Sequence, residues 1–319
     1  MSTFSVEVSH YALDGDRSTA TSALLAGSIT HKSSLSEVLV TKVANLSAHS
    51  VVVGLQWPRM HYFYDTRSET ADTLLLAESL RQMTVAIAHS LLEVPFDRKF
   101  VLTSLAIDDV RPIPAFSPSR PTDVLVKVAV TAKMGGAMRV QGLRLEVDFT
   151  ANGLSFATGS IDTRVLDPAT YQRLRCSSGL LRSVVEEPGD ASGKHGRPGR
   201  FTRSASATVS KLEGDSGWVL TPDLAHPLFF DHPLDHVPGM FVVEAIRQAL
   251  SEHLEVPAHH PVAIAISYWK MVELDESCTL RLISRPSDET KLDVELSQHG
   301  HIVVTGSVSS GAALLFEPK

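Results

Sequence analysis

Cysteine is nearly absent from this chain: Cys176 and Cys278 are the only two in 319 residues. Neither has a partner at CxxC spacing, so a dithiol redox motif and a cysteine-rich zinc site are set aside, and the usage fits a reducing cytoplasm. A basic excess is missing too. The formal net charge is −7, which argues against a nucleic-acid partner but leaves room for a local cationic patch that takes an anionic small molecule. No stretch reaches the roughly 18 apolar residues that a membrane span needs. The polar N-terminus, with Asp14, Asp16 and Arg17, has no apolar signal core, so no membrane association is expected. There is no HExxH, and no other spacing demands a metal. Neither metal nor cofactor is expected.

What the chain does have is repetition. Leu74-Leu75-Leu76-Ala77-Glu78-Ser79-Leu80-Arg81-Gln82 is echoed by Met240-Phe241-Val242-Val243-Glu244-Ala245-Ile246-Arg247-Gln248. Upstream, His61 with Phe63-Tyr64-Asp65 matches His226 with Phe229-Phe230-Asp231. Downstream, Leu92-Glu93-Val94-Pro95 recurs as Leu254-Glu255-Val256-Pro257. Order and spacing together point to duplication of one supersecondary unit. With 43% apolar residues the chain can bury a substantial core, and its length suits two domains.

Thr73 to Leu92 contains no Gly or Pro and predicts a helix. Val51–Trp57 predicts a strand before it. Phe100–Ile107, Asp123–Thr131, Met138–Phe149 and Ser155–Val165 predict strands after it, with turns at Gly135-Gly136 and Asn152-Gly153. Residues 183–204 are rich in Gly, Pro and charge and break the pattern. The unit then restarts with a strand at Trp218–Leu220, a helix over Val237–Leu254 entered through Pro238-Gly239, and strands at Val262–Trp269, Cys278–Ser284, Lys291–Leu296 and His301–Ser309. The division that follows is an N-terminal extension (1–27), a first repeat (28–180), a linker (181–205) and a second repeat (206–319).

Both helices are apolar nearly all round, whereas a surface helix shows a polar face. They must therefore be wrapped by sheet. That describes an α+β tandem, or double, hotdog fold, each repeat an antiparallel sheet curled around one central helix. Glu, Arg and Gln at i, i+3 and i+4 fall on one side of each helix. A buried charge is costly unless paired, so Glu78–Arg81 and Glu244–Arg247 are either self-satisfied pairs or a duplicated site. The second copy carries more. Asp231-His232-Pro233-Leu234-Asp235-His236 precedes its helix, and Pro238-Gly239 would leave open backbone N–H groups for a thioester oxyanion. His232 can act as acid or base, or the run can be a polar loop capped by its own side chains. The first copy has Asp72-Thr73 instead, so the halves are not equivalent.

These residues resemble a known family. Gln56-Trp57-Pro58-Arg59 with His61 and Phe63-Tyr64, followed by the Leu75-to-Gln82 helix, is similar to the first repeat of the A-factor biosynthesis hotdog proteins. Those are the gamma-butyrolactone and butenolide signal synthases of actinomycetes. His31-Lys32 followed by Glu37-Val38-Leu39-Val40-Thr41 resembles that family's N-terminal motif. His226-Pro227-Leu228-Phe229-Phe230-Asp231-His232, through Pro238-Gly239-Met240 to Glu244, resembles its second repeat. A fainter likeness runs to acyl-carrier-protein dehydratases built on single hotdogs.

The resemblance implies an acyltransferase that moves a β-ketoacyl chain from acyl carrier protein to the hydroxyl of dihydroxyacetone phosphate. The ester then condenses within itself to a phosphorylated butenolide, precursor of a signal that controls secondary metabolism. The family's functional residues fall on Glu78, Glu244 and Arg247. The residue chemistry agrees: a buried Glu with a raised pKa suits a base, and Arg offers a fork for phosphate. Glu244 is the expected base with His232 its rival, Arg247 the expected phosphate cation with Arg81 second, and Glu78 a positioning group or second proton carrier. Gln82, Gln248, Asp231, Pro238 and Gly239 complete the expected contacts. Leu76, Met83 and Val243 either line an acyl tunnel between the helices or are plain core. No nucleophile motif is present and neither helix carries Cys, so direct transfer is expected. The alternatives are a hotdog thioesterase or dehydratase, which has no need of a buried phosphate clamp, and a non-catalytic lactone-binding regulator. With two repeats in one chain, either a monomeric pseudo-dimer or a homodimer is expected.

Overall fold

The computed structural model describes residues 27–310 apart from 48, 137–138, 178–207, 215–216, 257–259 and 286–287. The stretch read as a linker, 181–205, and all but the last residue of the extension 1–27 lie outside the described residues. A short helix α1 (Gly27–Thr30) leads to the hairpin β1 (Val40–Ser47) and β2 (Ser50–Trp57). The long helix α2 (Thr73–Leu91) follows, then β3 (Lys99–Asp108), β4 (Thr122–Met134), β5 (Val140–Ala151) and β6 (Leu154–Leu166). Helix α3 (Pro168–Ser177) closes the first half. The second half runs through β7 (Val209–Lys211), β8 (Trp218–Leu220), α4 (Gly239–His253), β9 (Ala263–Tyr268), β10 (Thr279–Arg285), β11 (Asp288–Gln298) and β12 (His301–Ser309).

All twelve strands form one antiparallel sheet in the order β1-β2-β4-β5-β6-β3-β9-β12-β11-β10-β8-β7. Outward from the β3·β9 seam the halves read alike: β3-β6-β5-β4-β2-β1 against β9-β12-β11-β10-β8-β7. The seam itself is antiparallel, pairing Leu105 with Ile266 and Ile107 with Ile264. The duplication seen in the sequence is thus a two-fold repeat of topology, and the seam removes the edge that each half would otherwise expose. Each repeat has two strands before its helix where one was expected. β1 and β7 are the additions, and α3 is a third element not expected.

Strand periodicity fixes which side faces the helices. In β4, Val124, Val126 and Val128 are buried while the alternating residues are exposed. On α2, Leu74, Leu76, Leu80, Met83 and Ile87 are each 1% exposed or less, so most of the helix is enclosed, as its composition demands. Asp72 caps its start, accepting from Leu74 N at 2.9 Å. The repeated Leu-Glu-Val ends both helices through a left-handed glutamate. Glu93 (φ 51) and Glu255 (φ 55) take the left-handed conformation, and Val94 N and Val256 N turn back to Ala88 O and Ser251 O. Among the described residues no helix is long and apolar enough to cross a membrane.

A second echo, Thr158-Gly159-Ser160 and Thr305-Gly306-Ser307, lies at equivalent places in β6 and β12. A Cβ at Gly159 would sit 2.7 Å from Ala106 O and 3.2 Å from the Leu80 side chain. One at Gly306 would overlap the Ala265 carbonyl. Both glycines permit close approach next to the seam. Gly306→Val is expected to cost about 1–3 kcal/mol, as overpacking does, read as a lowered melting temperature by circular dichroism. A melting curve unchanged from wild type would show that the seam yields at no cost.

Candidate active site

The two helix triads have the same geometry. In α2, Arg81 donates to Glu78 from Nε at 2.8 Å and Nη2 at 2.7 Å, and Gln82 Nε2 donates to Glu78 Oε1 at 2.9 Å. In α4, Arg247 donates to Glu244 at 2.9 and 2.7 Å, and Gln248 Nε2 at 3.0 Å. Each glutamine oxygen also takes a backbone N–H from the segment ahead of the helix, Leu39 N and Thr208 N, both at 2.8 Å. Helical spacing makes the Glu–Arg fork, and the glutamine ties it to the sheet.

The surroundings separate the copies. A cleft of about 800 Å³ follows α2 from Glu78 past Arg81 to Thr84 and Val85, and its far wall is the second-half segment from Leu228 to Met240. The Arg81 side chain keeps 27% of its exposure, against 6% for Arg247. Glu78, Arg81, Asp231, His232, Pro238 and Gly239 therefore meet in one cleft. Glu244, Arg247, Gln82 and Gln248 do not line it. Glu244 is 0% exposed with both oxygens engaged, which is not how the expected base and phosphate cation would sit. Gln82 is likewise 0% exposed, with its oxygen on Leu39 N and its nitrogen on Glu78 and Glu37 O. Both glutamines bridge the helix glutamate to the chain just ahead of β1 or β7. Leu76, Met83 and Val243 are core; the apolar wall of the cleft is Val85, Phe96, Phe100, Leu102 and Ile161.

The electrostatics of the cleft are set by its ion pairs. Burial alone would raise the Glu78 carboxyl, but the Arg81 guanidinium outweighs it and holds the group below its ordinary value. The fork between Arg81 and Glu78 is the geometry of a positioning group, one of the two roles expected of Glu78. Burial would also raise Asp231, yet the hydrogen bond from His232 and the Lys32 ammonium hold it well below the carboxylate range. Lys32 Nζ lies 3.2 Å from Asp231 Oδ2, with both side chains almost fully enclosed, and Ser33 Oγ donates to Asp231 O at 2.9 Å. His232 Nδ1 is 2.6 Å from Asp231 Oδ1, so in the neutral ring Nε2 carries the lone pair.

Gly239 begins α4 without a side-chain cap. A Cβ there would lie 2.8 Å from Leu102 Cδ2, and Tyr268 Oη donates to Gly239 O at 3.0 Å, so this end of α4 sits close against β3 and β9. Helix α3 braces the same wall. Tyr171 Oη donates to Asp235 at 2.7 Å, and Arg175 forks onto Glu273 at 2.6 and 2.7 Å. The sequence reading missed α3, although Asp167-Pro168 carries the signal: Asp167 accepts from Thr170 N at 2.9 Å, with Pro at the first helical position. It also gave no role to Lys32, His31 or Lys99, which line the cleft.

Fold and cleft define a tandem hotdog protein whose two repeats jointly enclose one elongated, partly apolar site. The profile described as the A-factor biosynthesis hotdog domain matches residues 13–167 and 203–312. The chain belongs to that family. It is 29% identical over 276 residues to a 2-oxo-3-(phosphooxy)propyl 3-oxoalkanoate synthase of Streptomyces virginiae, spanning 86% of this chain and 91% of the relative. It is 30% identical over 258 residues to a protein of the same name from Streptomyces coelicolor, spanning 79% and 80%. Among solved structures, one described as an oleoyl thioesterase from Lactobacillus plantarum superposes with a TM-score of 0.50 at 13% identity, covering 83% of this chain and 97% of that one. That likeness concerns the fold alone.

Proposed function

We propose that the chain transfers a β-ketoacyl group from a carrier-protein thioester to the hydroxyl of dihydroxyacetone phosphate, giving a phosphorylated ester that closes to a butenolide. The observation that carries this reading is the make-up of one cleft. It sets cations, Arg81 and Lys32, and an uncapped helix start beside an apolar wall. An acyl thioester and a phosphorylated acceptor need that combination, and about 800 Å³ lies within the usual range for a ligand site. The names of the relatives support the same acyl and triose components.

Arg81, held flat by Glu78, takes the phosphate, and Lys32 adds charge next to it. The N–H groups at the start of α4 receive the oxyanion as the thioester carbonyl is attacked. The acyl chain lies against Val85, Phe96 and Phe100. Asp231 fixes His232 with Nε2 available to the bound acceptor. Glu244 and Arg247 fix α4, and so the position of that helix start. We assign the repeats to 28–180 and 206–319 and the donor to acyl carrier protein. We further assign the working unit to one chain, whose two halves already supply both walls, and the reaction to the cytoplasm.

The test supplies purified protein with a β-ketoacyl N-acetylcysteamine thioester, with and without dihydroxyacetone phosphate, and reads products by mass spectrometry. Phosphorylated ester or butenolide only with the triose is the expected result. Free β-keto acid regardless of the triose would make this a thioesterase, and no turnover with lactone bound would make it a regulator.

A further inference from the structure

A histidine on the cleft wall, His31, and a second one bonded behind it, His89, have no part in the chemistry above. His31 follows α1 in a left-handed conformation (φ 52), with Lys32 N closing back onto Gly27 O at 2.9 Å. That turn brings the imidazole to the cleft wall. Its Nε2 lies 2.9 Å from His89 Nε2, in the last turn of α2. His89 Nδ1 in turn lies 2.6 Å from Val94 O, the residue held by the helix-ending Leu-Glu-Val. Phe100 meets both rings edge-on and Phe96 stacks on His89, so the pair is fixed from three sides.

The tautomers follow from donor and acceptor rules. A carbonyl only accepts, so His89 Nδ1 bears a proton. In a neutral His89 the other nitrogen is then a lone pair, and His31 Nε2 must donate to it. Neutral His31 is left with its lone pair on Nδ1, to which no group hydrogen-bonds among the described residues. The groups facing this ring are Arg81 and Glu78 from α2, Lys99 from β3, and Asp231 and His232 from the opposite wall. Burial, then His89 and Arg81, lower His31 to about 4, so the lone pair is present throughout the neutral range. The carboxylate candidates serve less well, and His232 is the rival that the variants below separate from His31. Glu78 is ionised but forked onto Arg81, and Glu244 is enclosed.

We propose that His31 is the general base of the acyl transfer and that His89 relays the proton away from the cleft. The inference rests on the acyl-transfer reading. The acceptor O–H bond breaks, its proton goes to His31 Nδ1, and the oxygen forms its bond to the thioester carbonyl carbon. The Nε2 proton of His31 shifts to His89 Nε2, while the Nδ1 proton of His89 stays on Val94 O. Positive charge thus moves off a ring that already faces Arg81 and Lys99. When the C–S bond breaks, the departing thiolate recovers a proton by the reverse path, so the cycle balances without another reactant. His31 is the catalytic residue; His89 is a positioning residue.

The experiment compares full-length wild type with His31→Gln, His31→Gly, His89→Gln and His232→Gln in the acyl-transfer assay across the pH range. His31→Gln is expected to lower kcat by roughly 10²–10⁴-fold, the scale of a lost general base, with KM little changed. Imidazole in the medium is expected to restore part of the activity of His31→Gly. His89→Gln is expected to lower kcat about tenfold and to move the acidic limb of the pH profile, which a merely structural role would leave in place. Nitrogen-15 NMR of the wild type is expected to find the proton of His31 on Nε2 and that of His89 on Nδ1. A His31 proton on Nδ1 overturns the proposal even if the variants do not fold. So does a His31→Gln enzyme as fast as wild type, or loss confined to His232→Gln. Absence of ester from wild type overturns the acyl-transfer reading itself and is distinguished by that from failure of the base alone.

Discussion

Arg247→Leu is expected to unfold far more readily than wild type, by about 3–5 kcal/mol, because it removes the guanidinium paired with a buried carboxylate. Glu244 is 0% exposed and takes two hydrogen bonds from Arg247, at 2.9 and 2.7 Å. Gln248 Nε2 stays at 3.0 Å, but an amide carries no charge to offset the one removed with Arg247. Against a total stability of about 5–15 kcal/mol for an ordinary protein, that loss is a large fraction. The double variant Glu244→Met, Arg247→Leu removes both charges at similar volume and is expected to recover most of it, since a buried pair contributes little net over well-packed apolar side chains. Urea unfolding followed by circular dichroism separates the cases. A single variant as stable as wild type, or a double variant no better than the single, would show that the pair is not the internal brace of α4.

Arg81→Met is expected to act on the acceptor. Hydrogen bonds to charged groups contribute about 1.5–3 kcal/mol each, so losing a forked phosphate contact lowers kcat/KM for dihydroxyacetone phosphate by roughly 10²–10³-fold. Unphosphorylated dihydroxyacetone, a poor acceptor for wild type, is expected to be used no worse by the variant. The discriminating number is the ratio between the two acceptors in steady-state assays. A ratio unchanged by the substitution would remove Arg81 from phosphate binding. Some loss of stability accompanies the change, because Glu78 loses its partner; the side chain's 27% exposure makes that loss smaller than for Arg247→Leu.

Much of this was legible in the residues. Helices without a polar face announced that something must wrap them, and repeated Glu-x-x-Arg-Gln and Leu-Glu-Val marked where they begin and end. Alternating Val124, Val126 and Val128 announced the wrapping strands. β7 escaped because Val209-Ser210-Lys211 holds a single apolar residue, whereas the equally short β8, Trp218-Val219-Leu220, is apolar throughout. The site was half legible. Spacing along a helix shows that Glu78 and Arg81 pair, as do Glu244 and Arg247, but not which pair meets solvent. That depends on packing between segments far apart in the chain, such as Lys32 on Asp231. The balance at Glu78, where the fork from Arg81 outweighs burial, is likewise set by three-dimensional packing. His31 and His89 are far apart in sequence and carry no shared motif, so only the fold could bring their rings together.

The β3·β9 seam has an evolutionary consequence. In an assembly of two identical subunits, each substitution appears on both sides of the axis, and neither copy can specialise without the other following. Here the symmetry mates are separately encoded. One Glu–Arg pair lies on the cleft and the other is sealed in the interior. A deep mutational scan should therefore show two unlike constraint profiles on α2 and α4: intolerance at Arg81 set by turnover, and intolerance at Arg247 relieved by compensating change at Glu244. Inheritance of a single fused chain is what lets equivalent positions answer to different selection.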